Sequence, residues 1–223
     1  MCASDDAWHH PCKRDYPRTR IIVALDMAGL IVLEGIDGCG KSTVAKAVAD
    51  MLGPKAVLTR EPTDSWIGKA VRKGEEKEIS PYTDALLFMA DRAQHTLEMS
   101  GLIAKGKTVV TDRYYHSTVA YQTASLRRRS LGDNFRWLLE ANMRISIRPD
   151  ITFVLIVDPQ TAIERVGRRA ELSRFEKLDF LKEVQMNYKR LARTQKDMVL
   201  IDADRSLAEV TGDVTARVKE RKV

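Results

Sequence analysis

The sequence predicts an α/β fold in which one five-stranded parallel sheet is covered by helices on both faces. Three observations carry that expectation. From Leu30 onward, short apolar runs alternate with helix-length amphipathic segments. The runs LIVLEG from Leu30 and ITFVLIVD from Ile151 are unbroken, as strands buried on both faces should be. No internal repeat or Pro/Gly/Ser-rich linker divides the chain after Leu30, and 223 residues suit one domain.

The elements follow in order. LIVLEG is the first strand, and a helix starts at about Gly40, with VAKAVADML giving its apolar face and Gly53 its stop. AVLTR from Ala56 is the second strand. Ser80 is an N-cap with Pro81 at the first helical position, and the long helix behind it ends at Gly106. TVVTDR is the third strand, followed by helices over YYHSTVAYQTASL and NFRWLLEANM. ITFVLIVD is the fourth strand. Asp158 caps the next helix and Pro159 opens it; FLKEVQMNYKRLAR is amphipathic. MVLID is the fifth strand, and SLAE at Ser206 is a capping box that opens the last helix.

Composition is that of a globular protein: 44% hydrophobic and 30% charged. A net charge of +6 admits anionic ligands, nucleotides or nucleic acid, but a basic surface coat explains it equally simply. Three cysteines give no disulfide framework, which suggests a reducing cytoplasmic setting. The most apolar run, IIVALDMAGLIVL from Ile21, is broken by Asp26 and ends at Glu34. It falls short of the roughly 18 apolar residues that suggest a span, so no membrane segment is expected. Residues 1–26 carry no apolar periodicity and read as a disordered extension, or as sequence upstream of a true start at Met27. Cys2, His9, His10 and Cys12 have ligand chemistry for zinc, but nothing after them closes a site. The domain then spans 27–223.

The chemistry concentrates at GIDGCGKST. Gly35, Gly40, Lys41 and Ser42 fit G-x-x-x-x-G-K-[ST], between an apolar strand and a helix. In such a loop, Gly35, Ile36, Asp37, Gly38, Cys39, Gly40, Lys41, Ser42 and Thr43 wrap a triphosphate. Glycines turn the amides inward, and the helix N-terminus adds partial positive charge. Lys41 reaches the β- and γ-phosphates, and Ser42 can ligate Mg²⁺. This predicts the P-loop NTPase three-layer fold with a nucleoside triphosphate as a ligand; the loop alone does not separate kinases from GTPases, ATPases or regulatory modules. Asp37 is out of place in an anion cradle: its carboxylate either caps the turn or points away toward a second ligand. Cys39 is a small loop residue with no base beside it.

Beyond the loop, TREP (Thr59–Pro62), LLFMADRAQH, DRYYHSTVAYQ (Asp112–Gln122), RPDITFVLIVDPQTAIERVGRR and IDADRSLAEV occur in an order that resembles thymidylate kinases from about Leu30 to the last helix. The resemblance implies phosphoryl transfer from Mg-ATP to dTMP, in a cytoplasmic homodimer with no nucleic-acid or membrane partner. It implies that Arg113 clamps the dTMP phosphate. Arg92 contacts the thymine edge, and Phe88, one helical turn earlier, stacks on the ring. Thr118 makes a polar thymine contact, Tyr121 blocks a ribose 2′-hydroxyl, and Gln122 closes that motif. Arg60 lies in a family motif near the acceptor, and Asp37 accepts from the sugar 3′-hydroxyl; Arg72, after IGKAV, is a further candidate phosphate ligand. Asp112, at a strand end, sits near Mg²⁺ or the acceptor. Family members supply a phosphate-neutralising arginine from the P-loop or from a lid. GIDGCGKS has none, so a small Arg-rich lid at about 165–177 must supply it. Arg169 and Arg174 match best, in a stretch that also holds Arg165 and Arg168.

The residue types agree with that reaction. The second pKa of a phosphate monoester is about 6, so the acceptor is already largely dianionic and needs no strong base. The task is to hold two anions together and neutralise developing charge, which calls for arginines. His95 and His116 read as packing or surface residues. A deoxynucleoside kinase would need a carboxylate base and no phosphate clamp. A non-enzymatic nucleotide- or nucleic-acid-binding module would leave the ordered acceptor motifs unexplained.

Overall fold

The structure is a computed structural model that describes residues 29–127, 132–167 and 178–221. Residues 1–26, with their cysteines and histidines, and most of the expected lid, with Arg168, Arg169 and Arg174, lie outside the described residues.

Five strands form one parallel sheet: β1 Leu30–Gly35, β2 Ala56–Arg60, β3 Thr108–Asp112, β4 Ile151–Ile156 and β5 Met198–Asp202, in the order β2-β3-β1-β4-β5. Every residue of the central strand β1 is buried, so both its faces are covered. Its register with β4 is pinned at the start: Asp150 Oδ2 accepts from the Leu30 amide at 2.8 Å, and the Asp150 amide donates to the Leu30 carbonyl at 2.9 Å.

Among the described residues, eight helices cover the sheet: α1 Lys41–Leu52, α2 Trp66–Glu75, α3 Pro81–Ala104, α4 Tyr115–Leu126, α5 Asn134–Ile145, α6 Pro159–Gly167, α7 Leu178–Thr194 and α8 Leu207–Glu220. α1 packs on α8 and on β1, β2 and β3, and α4 packs on α3, α5 and α7. The caps read from sequence are present. The Ser80 hydroxyl accepts from the Tyr82 amide, Asp158 Oδ1 from Gln160 and Thr161, and Ser206 with Glu209 closes a capping box.

Three differences have local causes. β3 stops at Asp112, because Arg113 adopts a left-handed φ of 75°. β4 stops at Ile156, two residues before Asp158 caps α6. Helix α2 was not expected. Ser65 caps it by accepting from the Gly68 amide, but Gly68 and Gly74 lower its intrinsic preference. Gly68 is required there: a Cβ would meet the Thr63 carbonyl oxygen at 2.0 Å.

Candidate active site

The loop after β1 turns through glycines. Gly40 sits at φ 94° as the N-cap of α1 and offers no capping side chain. Gly38, at φ 85°, lies so close to α6 that a Cβ would meet the Ala162 carbonyl oxygen at 2.3 Å. Ile36 and Cys39 are buried, and burial raises the Cys39 thiol pKa, which fits a packing role. Ser42 and Thr43 stay exposed. The result is an open helix N-terminus at the C-terminal edge of a parallel sheet, where α/β folds bind anions.

The pairing of β1 with β3 brings the second motif beside this loop, with Leu33 opposite Asp112. Ser42 Oγ donates to Asp112 Oδ2 at 2.5 Å, while Asp112 Oδ1 is buried without a hydrogen-bond partner. These hard oxygens fit Mg²⁺, which takes one or two protein ligands and fills its shell with water and phosphate oxygens. Among the described residues no group of three or more His, Cys, Asp or Glu side chains could hold a metal by itself.

The left-handed backbone of Arg113 costs about 1–3 kcal/mol for a residue with a Cβ. Two bonds hold it: its amide donates to the Leu33 carbonyl and its own carbonyl accepts from Thr111 Oγ1, both at 2.9 Å. The turn throws the guanidinium back over the loop onto Asp37, with which it forms an ion pair. Lys41 Nζ bonds the same carboxylate oxygen, Asp37 Oδ1, at 3.0 Å and the Ile36 carbonyl at 3.4 Å. The Tyr121 hydroxyl reaches Asp37 Oδ2 at 3.4 Å, and the Tyr121 ring lies 5.1 Å from the Arg113 guanidinium carbon. So Asp37 bonds outward to Lys41, Arg113 and Tyr121, not to the amides of its own turn. Burial alone would raise its pKa, but Arg113 and Lys41 outweigh it and hold the carboxyl well below the usual range. For Lys41, burial and Arg113 push the pKa down, yet Asp37 tips it upward, so the ammonium stays charged. Burial, then Asp37, pushes the Tyr121 phenol up to about 12.

Glu34, fully buried behind the loop, was missed by the sequence reading. Its Oε1 accepts from the amides of Tyr114 and Ser117, at 2.8 and 3.1 Å. Its Oε2 accepts from the hydroxyls of Ser117 and Tyr188, at 2.6 and 2.9 Å. Ser117 Oγ in turn accepts from Arg113 Nη1 at 3.0 Å, so the buried acid steers Arg113 through one hydroxyl. Burial works to raise the Glu34 pKa, but His116, Ser117 and Arg113 hold it down.

A second cluster surrounds Arg92, which is 1% exposed. Nη1 donates to Thr118 Oγ1 at 2.9 Å and to Asn142 Oδ1 at 2.7 Å, and Nη2 to Glu61 Oε2 at 2.5 Å. His95 is buried rather than on the surface: Nδ1 bonds Glu61 Oε1 at 3.0 Å, and Nε2 bonds Thr59 Oγ1 at 2.8 Å. His116 is also buried, with Nε2 at 3.0 Å from Gln195 Oε1. Phe88 is half-buried on the helix that carries Arg92. Gln122 is buried against Asp84 at 3.4 Å, so it does not face solvent. Arg60 and Arg72 converge on Asp64 Oδ1 at 3.2 and 3.3 Å, and Arg72 Nη1 also donates to the Pro62 carbonyl. Neither hydrogen-bonds to the Asp37 cluster. Arg60 does line a groove of about 690 Å³ that begins at Ser42 and Asp112 and runs to His95 and Glu98. Arg165 lies in α6, where both terminal nitrogens donate to the Ala203 carbonyl.

A five-stranded parallel sheet with this loop after its central strand defines a P-loop NTPase fold. Beside the loop, Lys41 and Arg113 meet on the Asp37 carboxylate, a concentration of cations expected of a kinase that holds an anionic acceptor. The family model for thymidylate kinase matches residues 33–214, and the chain belongs to that family. It is 40% identical to a probable thymidylate kinase of Methanococcoides burtonii, over 83% of this chain and 93% of that one. A probable thymidylate kinase of Archaeoglobus fulgidus is also 40% identical, over 83% and 92%. The structure of the Candida albicans thymidylate kinase superposes with a TM-score of 0.71 at 23% identity, covering 88% of this chain and 93% of that one.

Proposed function

We propose that the protein transfers the γ-phosphoryl group of ATP to the 5′-phosphate of dTMP, giving dTDP. One observation carries this reading: a single carboxylate, Asp37, is shared by the P-loop lysine and an arginine just after the neighbouring strand. The donor loop and an acceptor-side cation are thereby held in contact. The loop from Gly35 to Thr43 holds the donor phosphates, with Lys41 on the β,γ side. Arg113 clamps the acceptor phosphate. Asp37 accepts from the sugar 3′-hydroxyl, and Tyr121, its phenol uncharged, crowds the 2′ position. Arg92, Thr118 and Phe88 meet the base; Arg60, Arg72 and Gln122 shape the surrounding wall. Ser42 and Asp112 would hold Mg²⁺, which would supply positive charge to the donor phosphates. Arg169 and Arg174 complete the neutralisation from the lid.

A coupled assay with Mg-ATP tests the reading. The protein should turn over dTMP and leave thymidine untouched; turnover of thymidine without dTMP would overturn it. We also infer a homodimer, which the exposed Leu86 and Leu97 on α3 support. Light scattering should read twice the 25.2 kDa chain mass, and a reading of one chain mass would refute the dimer.

A further inference from the structure

The guanidinium of Arg92 is gripped from three elements besides its own: the segment after β2 (Glu61), α4 (Thr118) and α5 (Asn142). Glu61 and Thr118 lie in the segments that mark the family, and Asn142 does not. Asn142 is fully buried, and its amide orientation is fixed by the network. Nδ2 donates to the Leu138 carbonyl at 2.8 Å, one turn earlier in the helix, so Oδ1 must face Arg92. Arginine carries five N–H donors. Both on Nη1 are used, by Thr118 and Asn142, and one on Nη2 by Glu61, which leaves the second Nη2–H and the Nε–H. Nε is buried without a partner. An unmade bond on a buried donor is unfavourable, so such a group marks a place where a ligand acceptor is expected.

We propose that Asn142 is a specificity-positioning residue. With Glu61, it fixes the Arg92 guanidinium so that the unpartnered Nε–H is kept for an oxo group of the acceptor's pyrimidine. A 4-oxo pyrimidine offers an acceptor there, and a 4-amino pyrimidine offers a donor instead. The grip therefore sets discrimination between dTMP and dCMP. Glu61 is itself held in place: its second oxygen is fixed by His95, and His95 by Thr59, so Asn142 completes a frame that is otherwise rigid. The inference rests on the reading that Arg92 meets the base.

The experiment compares Asn142→Ser, Asn142→Asp and Arg92→Leu, measuring kcat and KM for dTMP, dCMP and ATP. Serine can still bond the Leu138 carbonyl from within the helix but is too short to reach Arg92. It should raise the dTMP KM about tenfold and reduce the dTMP-over-dCMP ratio of kcat/KM about tenfold. The ATP KM and the saturated kcat should stay within about twofold. Aspartate keeps an acceptor for Arg92 and should keep the ratio near wild type. A merely structural role would lower kcat for both acceptors alike and leave their ratio unchanged, which overturns the inference. So would an Asn142→Ser enzyme with wild-type dTMP KM. If Asn142→Ser does not fold, loss of the ratio in a folded Asn142→Asp enzyme overturns it instead. An unchanged ratio in Arg92→Leu would refute the base-reading role of Arg92 itself. Loss in Arg92→Leu without loss in Asn142→Ser would refute only the role of Asn142.

Discussion

Lys41→Ala is expected to lower kcat about 10³-fold while the fold survives. The magnitude is that of removing one preorganised charge from a phosphoryl-transfer site. Lys41 is 5% exposed and its ammonium is bonded to the Ile36 carbonyl and to Asp37, so it is aimed rather than mobile. Asp37 keeps it protonated despite burial. When the lysine goes, Asp37 retains Arg113 as its ion-pair partner, so no unpaired carboxylate is stranded. The Tm should therefore shift by only about 4 °C or less. Lys41→Arg is not a conservative substitution here. The slot beneath the Ile36 carbonyl accommodates a compact point charge, and a planar fork would displace either Ile36 or Asp37. Arginine should restore less than a tenth of the lost rate. Steady-state kinetics beside thermal melts would decide it: wild-type kcat in Lys41→Ala would assign the donor charge elsewhere, and a large loss of Tm would make the residue structural.

The loop itself was legible in the sequence because its constraints are local. Gly38 and Gly40 need positive φ or close approach, and Lys41 and Ser42 sit at fixed offsets from them. Strands such as β1 and helix caps such as Ser80 and Ser206 were legible for the same reason. Glu34, Glu61, His95 and Asn142 were not read as functional. Polar residues in a sequence are taken as exposed, and only tertiary packing buries these four and assigns them partners. Asn142 lies 50 residues from Arg92, so no spacing rule connects them. The left-handed turn at Arg113 was likewise invisible, because arginine carries no intrinsic preference for it. Asp37 lies between these cases. The sequence located it and left its direction open; the partners that set that direction come from Lys41 one helical turn on, and from β3 and α4 far along the chain.

Arg113→Ala is expected to lower kcat/KM for dTMP about 10³-fold, with kcat and KM both affected. On the proposed function the clamp would orient the acceptor phosphate for in-line attack and balance its charge, so its loss would reach ground and transition states alike. Arg113→Lys should recover little, because one ammonium cannot hold Asp37, Ser117 and a phosphate at once. Asp37 supplies the internal control. Asp37→Asn keeps an acceptor for a sugar hydroxyl but removes the charge opposite Arg113, and should cost about tenfold in kcat/KM. The double variant should lose less than the product of the two, because both single changes break the same contact. Acidity gives a second readout. The folded-state pKa of Asp37 is depressed, so its stabilising contribution is full above the ordinary carboxylate value of 3.8 and is lost as pH falls below it. Asp37 therefore cannot produce a rate step near neutrality. An acid limb near pH 6 belongs to the acceptor phosphate, and it should persist unchanged in Asp37→Asn. A limb that moves with Asp37, or strict additivity of the two variants, would show that the carboxylate and the arginine do not act as one acceptor clamp.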